Sequence, residues 1–327
     1  MSRCEALVMT ASPRPGPPSH PAPAGSLDST AQLMTRITAQ LSSQLGHLAP
    51  GGLRRRPRPR SLSHPAARRP PTLVAVAHGS RDPEALRTVT ALVDRVRALR
   101  PDLPVRLGHV ELNHPLLADT LAALHGEAVL VPLLLGRGYH VKRDLPDAAA
   151  AAPHLSVRVA APLGPHPLLA EALHARLAEA GWTPGRTPGE APGRTPGEAP
   201  GGLSAAGVVL AAAGSRDRDS AADTARTAAL LSARLGGVPV LPGYASGTGP
   251  TVADAVRALT GRGRERIAVA SYFTAPGRFA TQCAAAAPGI AAAPLGDHAA
   301  VARLVVHRYE EALASAPMSH PAVTVGV

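Results

Sequence analysis

The sequence predicts an α/β protein of two tandem, similar domains with open parallel sheets facing a shared cleft, preceded by a disordered tail. Two observations predict it. Short apolar strand-like runs alternate with helical stripes, a pattern that implies parallel strands with right-handed crossovers. Landmarks of the first half then recur in the second. LVAVAHGSRD (Leu73 to Asp82) returns as VVLAAAGSRD (Val208 to Asp217), and APLGPH (Ala161 to His166) returns as APLGDH (Ala293 to His298). Repetition over this span describes whole structural units, not local motifs.

The first unit covers residues 71–181. Thr72–Ala77 is apolar throughout, as expected of a strand buried on both faces. Asp82 can cap the next helix and Pro83 suits its first turn, and Leu86, Val89, Val93, Val96 and Leu99 form one apolar stripe. Strands at Val105–Leu112, Ala128–Leu135 and Ser156–Ala161 follow, with helices at Pro115–Leu124, near Leu145–Ala152 and from Pro167 to Ala180. Residues 182–203 form a linker in which GRTPGEAP occurs twice in tandem, too rich in Pro and Gly for regular structure. Residues 204–316 repeat the first unit, and 317–327 form a C-terminal tail.

Residues 1–70 read as disordered from their Pro, Ser, Ala and Arg content, with one helical patch at Leu33, Ile37, Leu41, Leu45 and Leu48. They carry ten Arg against two acids, whereas residues 71–327 carry 24 basic and 21 acidic residues. The net charge of +11 therefore belongs mainly to the tail. No aromatic residue interleaves with LRRRPRPR (Leu53 to Arg60), so a stacking surface for nucleic acid is not expected. No apolar run is long enough for a membrane span or a signal peptide, and the two cysteines, Cys4 and Cys283, imply no disulfide framework. A cytoplasmic protein acting on neither membrane nor nucleic acid is expected; its oligomeric state is open. A serine hydrolase and a phosphate loop are disfavoured, because HGSRD matches neither a G-x-S-x-G elbow nor a G-x-x-x-x-G-K-[ST] loop.

The candidate site comes from what the repeat omits. His78 closes the first strand, and 135 residues later stands Ala213. The same offset takes Glu111, expected at the end of the second strand, to Ser246. His140, in VLVPLLLGRGYHVKRD (Val129 to Asp144), corresponds roughly to Phe279 in VASYFTAPGRFATQ (Val269 to Gln282). Three polar groups vanish as a set, so they belong to one site, at the strand ends where open α/β sheets place ligands. Two imidazoles and a carboxylate suit a borderline divalent metal and can accept protons near neutral pH. His109 and His114 are lower-ranked alternatives, with a surface role as the plain expectation for each. Arg81, Arg137, Lys142 (the only lysine) and Arg143 flank the histidines as a basic rim for a polyanionic ligand, and Arg216 repeats Arg81.

AHGSRDP, then E-x-x-x-P, then PLLLGRGYHVKRDLP resembles the sirohydrochlorin chelatase family, the class II tetrapyrrole chelatases, across about residues 71–315. The resemblance implies chelatase-type domains of flavodoxin- or Rossmann-like sheets and insertion of Fe²⁺, or Co²⁺ in the cobalamin-type members, into sirohydrochlorin without ATP. His78 and His140 would be the active-site histidines and Glu111 the acidic helper, all three handling the metal. The arginines and Lys142 would hold the carboxylate arms. The divalent metal is then a substrate, with no permanently bound cofactor. A metal- or tetrapyrrole-binding protein without turnover is the non-enzymatic alternative.

Overall fold

The computed structural model describes residues 69–184, 203–247 and 249–315. The expected disordered tail, its helical patch, most of the repeat linker and the C-terminal tail lie outside the described residues.

The first half runs β1 (Thr72–Ala77), α1 (Pro83–Leu99), β2 (Val105–His109), α2 (Leu117–Ala122), β3 (Gly126–Pro132), a π-helical turn (His140–Asp144), α3 (Leu145–Ala150), β4 (Leu155–Val159) and α4 (Pro167–Glu179). The second runs β5 (Ala206–Ala212), α5 (Arg218–Arg234), β6 (Val240–Tyr244), α6 (Val252–Thr260), β7 (Arg266–Ser271), α7 (Arg278–Ala285), β8 (Ile290–Ala291) and α8 (Ala299–Ala314). Each half makes a four-stranded, all-parallel sheet, ordered β2-β1-β3-β4 and β6-β5-β7-β8. The central strands are buried on both faces, as their uninterrupted apolar sequences require. Asp82 and Asp217 cap α1 and α5 in the same way, each carboxylate accepting from the backbone N–H two residues on.

Alternate residues of β1 define the layers. Leu73, Ala75 and Ala77 face a core shared with residues of both halves, whereas Val74 and Val76 pack against α2 and α3 through Leu117, Leu121 and Leu145. The second half matches: Val208 and Leu210 join the shared core, and Val209 and Ala211 pack with Val252 and Leu259 of α6.

The sequence pattern did not indicate how closely the halves are joined. The last helix of each crosses to the other. α4 packs on α5 and β7, while α8 packs on α1, β3 and β4. From α8, the Tyr309 hydroxyl donates to the Pro71 carbonyl (2.7 Å) and Arg308 donates to the Leu163 carbonyl (3.1 Å). From α4, Arg176 donates to the Leu295 carbonyl (3.1 Å). Arg95–Asp297 and Arg100–Glu310 ion pairs, at 2.9 and 2.7 Å, line the same seam. The repeats at 71–181 and 204–316 are thus sequence units that share one core in space. Among the described residues no helix is long and apolar enough to cross a membrane.

Candidate functional site

The carboxyl ends of the strands of both halves open on one cleft of about 620 Å³, within the range of small-molecule sites. From the first half it is lined by residues of the loops after β1 and β3, including His78 and His140. From the second it is lined by the equivalent loops, Ala212–Ser215 and Tyr272–Ala280.

His78 directly follows β1. The chain leaves the strand through Gly79 at φ 102°, and a Cβ there would lie 1.8 Å from the Glu111 carbonyl oxygen, so both conformation and space demand glycine. The Glu111 N–H donates to the His78 carbonyl (3.0 Å). This close crossing brings Glu111 Oε1 within 3.5 Å of His78 Nδ1. The second half keeps the scaffold and lacks the chemistry. Gly214 at φ 88° crosses Ser246 equally closely, and Ser246 N–H donates to the Ala213 carbonyl (3.0 Å). The Ser246 hydroxyl is used locally, donating to that same carbonyl (2.7 Å).

His140 opens the π-helical turn after the loop from β3. Its ring lies edge-on to His78, with centroids 4.5 Å apart and planes at 85°. Its Nδ1 is 2.5 Å from Asp144 Oδ2, four residues on and one turn along the same face. Each histidine therefore has a carboxylate on its Nδ1 side, Asp144 at hydrogen-bonding distance from His140 and Glu111 at a longer approach to His78, which leaves each Nε2 without a carboxylate partner. Such partners orient a metal-binding or proton-accepting imidazole. Asp144 was missed as a site residue, although the i, i+4 spacing from His140 was the signal for it.

The structure brings His78, His140 and Glu111 together but does not close them into a metal cage. Among the described residues, no group of three or more His, Cys, Asp and Glu side chains is arranged to hold a metal ion. The place of Glu111 has a local cause. β2 stops at His109 instead of reaching Leu112, and Glu111 sits in the following turn, half exposed, beside a positive φ at Leu112. Of the two alternatives, His114 is exposed. His109, expected on the surface, is buried beside Ala77 and lines the cleft. Burial lowers its pKa, and its Nδ1–H points to the Pro115 carbonyl at 3.2 Å.

The basic residues divide into two sets. Arg137 makes a bidentate pair with Asp223 of α5, at 3.0 and 2.8 Å, and the Arg137 backbone N–H donates to the same carboxylate (3.0 Å). Asp223 is only 1% exposed. Burial would raise its pKa, but the Arg137 hydrogen bonds and charge outweigh that and hold it below the usual carboxylate range. Lys142 binds Asp217 and Asp219 at the start of α5, at 2.6 and 2.9 Å. These two cations, expected on the substrate rim, hold the His140 loop to the second half. Tyr272 and Thr274 hold it as well, their hydroxyls donating to the carbonyls of Leu135 (2.8 Å) and Leu133 (3.0 Å). Arg81, Arg143 and Arg216 remain exposed with no ion pair among the described residues, and so does Arg278, which lines the cleft.

Ladder hydrogen bonds define the repeat register. Leu133 N–H donates to the Val76 carbonyl, and Tyr272 N–H to that of Ala211. Counting forward from these, Phe279 occupies the position of His140, Arg278 that of Tyr139 and Cys283 that of Asp144. The histidine pair with its carboxylates occurs in the first half and is not repeated at the matching positions of the second.

A two-half α/β scaffold with one carboxylate-backed histidine pair at its shared cleft defines a chelatase-type protein. The CbiX family model matches residues 72–180 and 207–312, covering both halves, and the chain belongs to that family. Among its relatives, the sirohydrochlorin cobaltochelatase of Methanococcoides burtonii is 28% identical over 123 residues, 33% of this chain and 94% of the relative. That of Sulfurisphaera tokodaii is 32% identical over 79 residues, 23% of this chain and 66% of the relative. Two solved structures share the fold over 74% of this chain and 94% of theirs. SirB from Bacillus subtilis with Fe³⁺ has a TM-score of 0.56 at 21% identity. The sirohydrochlorin chelatase SirB from Bacillus subtilis subspecies spizizenii in complex with cobalt has a TM-score of 0.55 at 19% identity.

Proposed function

We propose that the protein inserts a divalent metal ion, Fe²⁺ or Co²⁺, into sirohydrochlorin in the cleft between its halves, with His78 and His140 as the reacting side chains. The observation that carries this reading is the pair of edge-on imidazoles, each with a carboxylate at Nδ1 and each present in the first half alone. In the proposed reaction the imidazole Nε2 lone pairs hold the incoming ion. As the ion transfers to the pyrrole nitrogens, each lone pair it releases takes one of the two N–H protons that the ring must lose. Glu111 and Asp144 stabilise the imidazolium ions formed. Two imidazoles serve either metal, and the names of the relatives include both iron and cobalt. The test is an absorbance assay of sirohydrochlorin with Fe²⁺ or Co²⁺. Spectral conversion faster than without protein is expected for at least one ion, and its absence for both overturns the reading.

The unpaired arginines are the proposed holders of the substrate's carboxylates. Arg81 and Arg216 adjoin the cleft-lining residues Ser80 and Ser215, and Arg278 lines the cleft itself. Arg278→Ala is expected to raise KM for the tetrapyrrole severalfold with little change in kcat. In the unsubstituted protein KM should rise with added salt, because exposed charges are screened over about 10 Å at 0.1 M. A KM indifferent to salt removes the arginines from this role.

A further inference from the structure

Aromatic residues make up only 2% of this chain, yet both phenylalanines and two of its four tyrosines line the cleft. Phe279 is the informative one. It sits at the first turn of α7 in the position that His140 occupies in the first half, and its side chain is 40% exposed. Among the described residues only four large apolar side chains are exposed to that degree, and two of them, Tyr139 and Phe279, line this one cleft. The neighbouring lining residues Phe273, Ala275 and Pro276 carry no charge and extend the same apolar wall. An exposed aromatic ring left at a cleft mouth provides a flat π-face for a planar ligand. We infer that the second half converted its histidine position into a stacking platform. Phe279 receives the face of the conjugated macrocycle opposite the His78–His140 pair, so that the ring is clamped between imidazoles on one wall and a phenyl ring on the other. Phe279 is thereby a positioning residue for metal insertion. This inference rests on the function proposed above.

The experiment uses the full chain and a metal-free octacarboxylate porphyrin, which binds without turning over, and reads its fluorescence and the position of its main visible band. The unsubstituted protein is expected to bind the porphyrin with a band shift. Phe279→Ala and Phe279→Leu should each weaken binding by roughly ten-fold and lose the shift, while Phe279→Trp keeps both. Co²⁺ binding, followed by its d–d absorbance, should be the same in all four proteins, because the ion is held from the opposite wall. Porphyrin binding by the unsubstituted protein with equal affinity in Phe279→Leu overturns the stacking role and leaves the chelatase reading standing. No porphyrin binding by the unsubstituted protein overturns both.

Discussion

Arg137→Ala is expected to lower stability and to reduce metal insertion by one to two orders of magnitude. The stability loss arises at Asp223. Its carboxylate is 1% exposed, and removing the guanidinium leaves a buried charge without its main partner. The Arg137 backbone N–H still donates to it (3.0 Å), which limits the loss. The sign of the pH dependence follows from the two states of Asp223. In the unsubstituted protein its folded pKa lies below the unfolded value, so the pair's contribution is present above the carboxylate range and is lost as pH falls through the depressed pKa. In the variant the lowering by the guanidinium is lost and burial is opposed only by the Arg137 backbone hydrogen bond and the Arg226 charge, so the folded pKa rises relative to the unsubstituted protein and protonation relieves part of the penalty as pH falls. The stability gap should therefore be widest at neutral pH and close on acidification. Urea denaturation at several pH values checks this, and a gap independent of pH sinks the argument. The loss of activity follows from geometry. Arg137 anchors the loop that delivers His140, and misplacing a reacting group by about 1 Å costs on the order of 100-fold.

That loop shows what the sequence could and could not reveal. Leu73–Ala77, the Asp82 cap and the His78 strand end were legible because burial on both faces, capping and tight exits each leave a local residue pattern. The disappearance of His78, Glu111 and His140 from the repeat identified the residues that the fold then gathers. The use of Arg137 and Lys142 was not legible. Both read as ligand-facing cations, because their partners Asp217, Asp219 and Asp223 lie about 75 to 86 residues away in the other half. One signal was available: Asp223 falls on the buried face of α5 with Thr224, Thr227 and Leu231, where an acid requires a partner. The exchange of α4 and α8 leaves no mark at all, since a helix that packs on its own sheet and one that packs on its neighbour's need the same apolar stripe.

His78→Ala and His140→Ala are each expected to cut insertion by a factor of about 10²–10⁴, the range for loss of a positioned proton acceptor, with the fold intact. Both side chains are partly exposed, 42% and 34%, so neither substitution opens a core cavity. The carboxylates should behave differently. Glu111→Gln and Asp144→Asn keep the shape of the site but remove the charge at Nδ1, which for an outer partner costs about 10- to 100-fold. Asp144→Asn should be the more costly of the two, since Asp144 approaches its histidine to 2.5 Å and Glu111 only to 3.5 Å. Initial rates at saturating metal and tetrapyrrole, with circular dichroism as the check on folding, measure all four. Full activity in either histidine variant removes that residue from the reaction. Equal losses in the histidine and carboxylate variants would make the carboxylates reacting groups in their own right. The same logic explains why the second half cannot regain a site by restoring its histidines alone. The position of Asp144 holds Cys283, which is buried with a thiol pKa raised by that burial, and Phe279→His would place an imidazole there with no carboxylate to orient it.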